Sequence, residues 1–164
     1  WIGSFRAGRE AERRRISRSG RLDPYAVWIG GGLLCLVLVL AVFGLRAGLD
    51  YLLLCLYAQM QLMLSDYVQH YGLRRQVRNG RVEPVGPRHS WDAPHPLSSL
   101  AMVNAPRHSD HHAHPSRPYP SLRLEGEDAR PMLPWSLPVM GAMAMVPPLW
   151  RRVMDRRVAR MMSG

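Results

Sequence analysis

The sequence predicts an all-α integral membrane protein, a two-helix transmembrane hairpin followed by a cytoplasmic helical and loop region that carries a histidine box. Three observations predict it. Two apolar runs, about 25–45 and 49–68, are each long enough to cross a bilayer. Arginines cluster before the first run and after the second. Six of the seven histidines fall within the 26 residues from His89 to His114, and the seventh, His70, follows the second run directly.

Residues 1–23 form an Arg-rich juxtamembrane segment (Arg6, Arg9, Arg13, Arg14, Arg15, Arg18, Arg21). Their spacing suits a helix lying on anionic headgroups, with Gly20 placed to end it. All 22 basic residues are Arg, and the formal net charge is +10. Such a balance fits nucleic acid or an anionic surface, and the neighbouring apolar runs favour the membrane. No nucleic-acid partner is expected. The chain starts at Trp1 rather than Met, and we read it as the downstream part of a longer protein.

Tyr25 to Leu45 contains no charged side chain. At 1.5 Å per residue, about 20 residues cross a hydrocarbon core of roughly 30 Å. Gly30, Gly31 and Gly32 would weaken a soluble helix, but in lipid they permit close helix contact. Tyr25 and Trp28 occupy interfacial positions. Arg46-Ala47-Gly48 is expected to make a short turn, and the second run continues to Val68. The hairpin therefore occupies 24–68. By the positive-inside rule both ends are cytoplasmic, with Arg74, Arg75 and Arg78 following the second span. Cys35 and Cys55 lie inside the runs, so reduced thiols are expected rather than a disulfide.

Residues 69–164 form the cytoplasmic His-rich portion. Residues 79–96 read as loop. Met132 to Trp150 is apolar, but Pro134, Pro138, Pro147 and Pro148 argue against a third span. Arg151 to Arg160 is expected to form a short basic helix.

Chemistry concentrates in Arg107-His108-Ser109-Asp110-His111-His112-Ala113. His108, His111 and His112 stand at i, i+3 and i+4, one face of a helix, so their neutral rings can converge on a cation. That helix starts near Asn104 as a cap, or kinks at Pro106. Asp110 is placed to orient an imidazole or to pair with Arg107 or Arg117. His114 points elsewhere. His70 shares a helical face with Asp66, which can fix its tautomer. His89 and His95 lie in a loop and carry little signal alone. Imidazole donors suit iron, zinc, copper or nickel, and four are too few for a complete dinuclear site.

Five segments together resemble one family. RHSDHHA matches the last histidine box of the membrane-bound alkane hydroxylases, within the fatty-acid desaturase-like group. DYVQHYGL is similar to their NYxEHYGL segment, and HSWDAPH to their HSWNxxH. RPYPSLR and PPLWRRVMDRRV resemble the sequences that follow. Gln69, Asp66, Asp92 and Ala105-Pro106 depart from the family pattern. The resemblance implies a multi-pass enzyme of the bacterial inner membrane that hydroxylates terminal methyls of alkanes with O2 at a histidine-ligated diiron site. It implies two Fe ions, with His70, His108, His111 and His112 as this chain's share of the ligands, and Asp66, Asp110, His89 and His95 around them. Electrons would come from rubredoxin, reduced by rubredoxin reductase and NAD(P)H. The remaining ligands would lie upstream, and the segment alone would be inactive. The alternatives are a desaturase-like enzyme or hydroxylase acting on another lipid or hydrocarbon, and a non-catalytic membrane protein with a His-rich metal-binding tail.

Overall fold

The computed structural model describes residues 2–16, 22–124 and 130–162, in two compact units, Trp1–Gln59 and Met60–Gly164. Gly20 as a helix end, and Arg18 and Arg21, lie outside the described residues.

In the first unit, α1 (Ile2–Ile16) carries exposed Arg6, Arg9, Arg13 and Arg14. Arg14 pairs with Glu10 at 2.7 Å, one helical turn away. The next helix, α2 (Pro24–His70), starts on a cap: the Asp23 carboxylate accepts the Tyr25 N–H at 3.0 Å, with Pro24 at the first helical position. Phe5 of α1 meets the Tyr25 ring edge-on, centroids 5.4 Å apart.

α2 is long and apolar enough to cross a membrane, and none of its most apolar stretch is buried among the described residues. Leu33, Leu34, Val37, Leu38, Val42 and Phe43 stand exposed. So large an apolar surface is costly in water and normal in lipid. Cys35 and Cys55 are free thiols. Helical geometry fails inside α2 at Gly44 (φ 82°, ψ −178°), whereas Arg46-Ala47-Gly48, expected as the turn, is helical. Only glycine enters that backbone region cheaply. The Leu40 side chain lies against Gly48, although residues eight apart on a straight helix are about 12 Å apart.

The second unit is built on the end of α2. Its helices are α3 (Pro96–Ala101), α4 (His108–Ala113), α5 (Leu137–Ala144) and α6 (Pro147–Met162). The 79–96 stretch is not all loop. β1 (Val77–Arg78) and β2 (Arg81–Val82) pair antiparallel around Asn79-Gly80, both at positive φ, the residue pair that tight hairpins favour. α4 starts at His108 rather than near Asn104. Asn104 is left-handed (φ 64°) and its side-chain amide donates to the Pro120 carbonyl at 3.0 Å, so it is spent on a turn rather than a cap. Prolines break the 132–150 stretch as expected, and only α5 and the start of α6 are helical there. Pro147-Pro148 begins α6 rather than preceding it, because proline costs nothing in a first turn.

The core joins Val68 of α2, Trp91, Leu133, Leu137 and Met140 of α5, and Trp150 and Met154 of α6. Each such burial is worth about 1.5–3 kcal/mol. Trp150 lies against Tyr67 and Tyr71, at centroid distances of 5.6 and 5.2 Å. The Tyr71 hydroxyl donates to Asp155 of α6 at 2.7 Å, and that bond first, then burial and the Asp155 charge, pushes the phenol up to about 12. Gly72 (φ 71°) ends α2 under Val158: a Cβ there would sit 2.5 Å from a Val158 methyl. Gly72→Ala should therefore lower stability by about 2 kcal/mol through both backbone and clash. Adding Val158→Ala should recover the steric part alone, which thermal unfolding of the two variants will resolve.

Candidate metal centre

Three imidazoles meet between the end of α2 and α4. The Nε2 atoms of His70 and His108 are 3.1 Å apart, of His70 and His112 3.2 Å, and of His108 and His112 2.9 Å. His108 and His112 are one turn apart on α4, and His70 is the last residue of α2. Their ligand atoms form a group able to hold a metal ion.

The protonation pattern favours a cation among them. His70 Nδ1 lies 3.1 Å from the His89 carbonyl oxygen, which can only accept. The proton therefore sits on Nδ1, and a neutral His70 turns the lone pair of Nε2 toward the cluster. Burial, then His112, His70 and His111, hold His108 down to about 3. Burial first, then His70 and His111, lower His112, and Asp66 opposes them. Both are neutral near pH 7. Lone pairs within 3.2 Å repel unless something positive lies between them. Three donor nitrogens this close together could be held by one ion.

The short segment 89–93 sets the geometry. Its His89 carbonyl holds His70. The Trp91 N–H donates to the Gln69 carbonyl at 2.7 Å, and the indole N–H to the Tyr71 carbonyl at 2.8 Å. Asp92 bridges to Met132 in a parallel pair, through Pro131 and Leu133. The Ala93 N–H reaches the Pro106 carbonyl at 2.9 Å. Asp92, fully buried, accepts the Ser109 backbone N–H at 2.8 Å on one oxygen and the Ser109 hydroxyl on the other. That fastens the first turn of α4, and so His108 and His112, to the strip that holds His70. Burial raises the Asp92 carboxyl, and the Ser109 bonds oppose it. Arg130 also reaches the Ser109 hydroxyl, at 3.1 Å.

The other expected site residues have other partners. His111 stands outside the three-nitrogen cluster, because it is 100° around α4 from His112. Its ring stacks on Tyr119 (centroids 4.9 Å), and its Nδ1 is buried without a hydrogen bond to the described residues. Asp66, expected to fix the His70 tautomer, lies instead 3.7 Å from the cluster-facing Nε2, so the His89 carbonyl at Nδ1 sets that tautomer. Asp110 orients none of the three clustered rings. It takes Arg117 through both oxygens, the Arg123 N–H at 2.8 Å and His114 at 2.8 Å. Burial works against its charge, but these bonds hold the carboxyl down to about 2. His89 uses its carbonyl toward His70, while its ring accepts from Gly86 at 2.8 Å and donates to Glu83 at 2.9 Å. His95 caps the start of α3 by its backbone carbonyl, which accepts from Ser99 and from the Ser98 hydroxyl. Sequence reasoning passed over Ser109 and the role of Asp92. Asp92 lay inside a quoted motif, but nothing in its spacing signals a buried anchor.

An apolar cavity of about 500 Å³ lies between the end of α2 and α5. Leu64, Val68, Leu137 and Met145 line it, with Gln61 and Ser65 as polar members. Residues 61, 64, 65 and 68 share the face of α2 opposite His70, so the cavity does not open on the imidazoles.

Residues 1–144 match the family model described as fatty acid desaturase. The chain belongs to that family. It is 36% identical to alkane 1-monooxygenase from Pseudomonas putida, over 99% of this chain and 41% of that protein. Alkane 1-monooxygenase 1 from Alcanivorax borkumensis is 37% identical over the same shares. Alkane 1-monooxygenase 2 from Pseudomonas aeruginosa is 44% identical over 63% of this chain and 27% of that protein. The desaturase-family chain thus spans about two fifths of the length of the relatives it matches most fully. The three clustered imidazoles all lie within the matched residues.

Asp92→Ala should weaken metal binding 10–100-fold, the usual effect of removing a group that orients ligands. Titration of the purified protein with Co²⁺, followed by its visible absorption, checks this; an unchanged affinity would show that Asp92 does not set the α4 imidazoles. The Asp110 carboxyl gives a separate pH signature. Its folded value, about 2, lies below the ordinary 3.8, so its stabilisation is complete above 3.8 and lost as pH falls toward 2. Asp110→Asn should melt well below the parent at pH 6, and the gap should narrow in melts taken between pH 4 and pH 2.

Proposed function

We propose that this chain is the C-terminal part of a membrane monooxygenase that hydroxylates the terminal methyl of n-alkanes with O2. The observation that carries the reading is the meeting of His70, His108 and His112 in a chain similar to alkane 1-monooxygenases over 99% of its length. A histidine-ligated diiron centre, when bound, supplies the oxygen activation and C–H attack that no side chain can perform. His70, His108 and His112 would hold one ion. His111, whose buried Nδ1 is unbonded among the described residues, is the donor free to serve a second. The remaining ligands would come from outside these residues. Rubredoxin, reduced by its NAD(P)H-dependent reductase, would deliver electrons on the cytoplasmic side.

The protein's own tasks follow from its residues. The His89 carbonyl keeps the proton of His70 on Nδ1, leaving Nε2 as a donor atom. Asp92 and Ser109 hold α4 so that two more donor atoms face it. Burial keeps His108 neutral and therefore able to bind. Trp91 and Trp150 help exclude water from the packing beneath. An alkane partitions into lipid, and an apolar α2 exposed to lipid gives it a route that avoids water.

The topology belongs to the same proposal. About 20 residues of α2 precede Gly44 and about 26 follow it, each enough for one crossing. The Gly44 backbone and the contact of Leu40 with Gly48 support a hairpin there. Both ends of the segment would then be in the cytoplasm of a bacterial inner-membrane protein.

The test uses the complete protein in membranes. We expect iron on elemental analysis, rubredoxin-dependent conversion of an alkane to its primary alcohol, and loss of both in His112→Ala. Zinc without iron, with no oxygenated product, would defeat the monooxygenase reading in favour of a metal-binding tail. An alkene product would move it to a desaturase.

A further inference from the structure

Helix α6 has two sides. Trp150, Met154 and Val158 pack on the end of α2, through Val68, Tyr67, Tyr71 and Gly72. The opposite side is basic. Arg152, Arg156 and Arg160 are exposed there at i, i+4 and i+8, while exposed Arg151 lies beside the packed stripe. They form a row about 12 Å long, one cation per helical turn. Like charges at this spacing destabilise an isolated helix. Asp155 of this helix is bonded to Tyr71 and Arg160 has a partner of its own, so Arg152 and Arg156 lead the row. Exposed apolar Met145 and Val146, just before α6, and Leu149 in its first turn stand at its N-terminal end.

Position selects the occupant. α6 is fastened to the residues where the apolar run of α2 stops, beside the exposed Tyr67 ring and the half-buried Tyr71 ring. Aromatic side chains of this kind mark the level of lipid headgroups. A helix at that level, with arginines along one side and apolar residues at one end, matches an interfacial helix on an anionic leaflet. We infer that the Arg152–Arg156–Arg160 row of α6 binds the phosphates of anionic phospholipid where α2 leaves the bilayer. This rests on α2 crossing the membrane. It adds a lipid-binding surface, remote in role from the imidazole cluster, to the proposed activity. Guanidinium suits it because it can grip two phosphate oxygens at once.

The test compares the complete protein with an Arg152→Gln/Arg156→Gln variant. Both are extracted in mild detergent, given equal amounts of phosphatidylglycerol and phosphatidylcholine, and analysed by native mass spectrometry. The parent should retain phosphatidylglycerol preferentially. Each arginine removed should cut that preference roughly five-fold. Arg152→Lys/Arg156→Lys should keep most of it, which also separates loss of charge from loss of fold. Equal retention of both lipids by the parent, or an unchanged preference in the glutamine variant, would overturn the inference. So would a glutamine variant that keeps its lipid preference but loses binding to a soluble acidic protein such as rubredoxin, because the row would then be a protein dock. Alkaline carbonate washing of the membranes tests the underlying span separately: release of the protein would remove the membrane reading itself, whereas a retained protein without lipid preference removes only the arginine row.

Discussion

The placement of the histidine helix in the second unit depends on one buried carboxylate. Asp92 has no exposure and accepts two hydrogen bonds from Ser109. Burying a charged or polar acid is unfavourable unless its oxygens are bonded, so the site exists only when α4 is docked. The relation also runs the other way. α4 has only six residues, too few for a helix to persist alone. Its orientation comes from Ser109, and therefore so do the directions of His108 and His112. The backbone on either side of Asp92 is tied to Pro131, Leu133 and Pro106. A short irregular strip thus acts as the rigid part, and the histidine helix is the part it positions.

The same strip explains how groups distant in sequence reach one point. His70 and His112 are 42 residues apart, yet their Nε2 atoms lie 3.2 Å from each other. The intervening chain takes a small hairpin, an irregular strip and two short helices. The strip bonds to Gln69, His70 and Tyr71 on one side and to Pro106 and Ser109 on the other. Polar groups inside such a strip are satisfied by one another, which lets an irregular segment sit in a core. The helices α5 and α6 then close the apolar side through Met140, Trp150 and Met154.

The sequence made part of this visible. The i, i+4 spacing of His108 and His112 puts two rings on one face wherever a helix forms, and the position of His70 after an apolar run singles it out. The apolar runs themselves show in simple hydropathy. Other features leave no periodic trace. Asp92 and Ser109 read as ordinary loop and filler residues because their partners are far away in sequence. Asp110 has the spacing of a ligand-orienting acid, but tertiary partners, Arg117 and the Arg123 backbone, take it instead. Asn104 has the chemistry of a cap, and the left-handed turn before Pro106 uses it otherwise. At residues 44–48 the charged Arg46 draws attention, whereas the backbone departs from helix at Gly44, the residue with no Cβ to forbid it.

His89 separates the identity of a residue from its contribution. Its ring is occupied by Gly86 and Glu83, and the group that meets His70 is a main-chain oxygen. Any amino acid offers the same oxygen. What the imidazole supplies is a local clasp that fixes where the oxygen points. An alanine scan would report on the clasp and remain silent about the oxygen itself. Replacing the following amide by an ester, which weakens that oxygen as an acceptor while leaving the His89 side chain in place, addresses the contact directly.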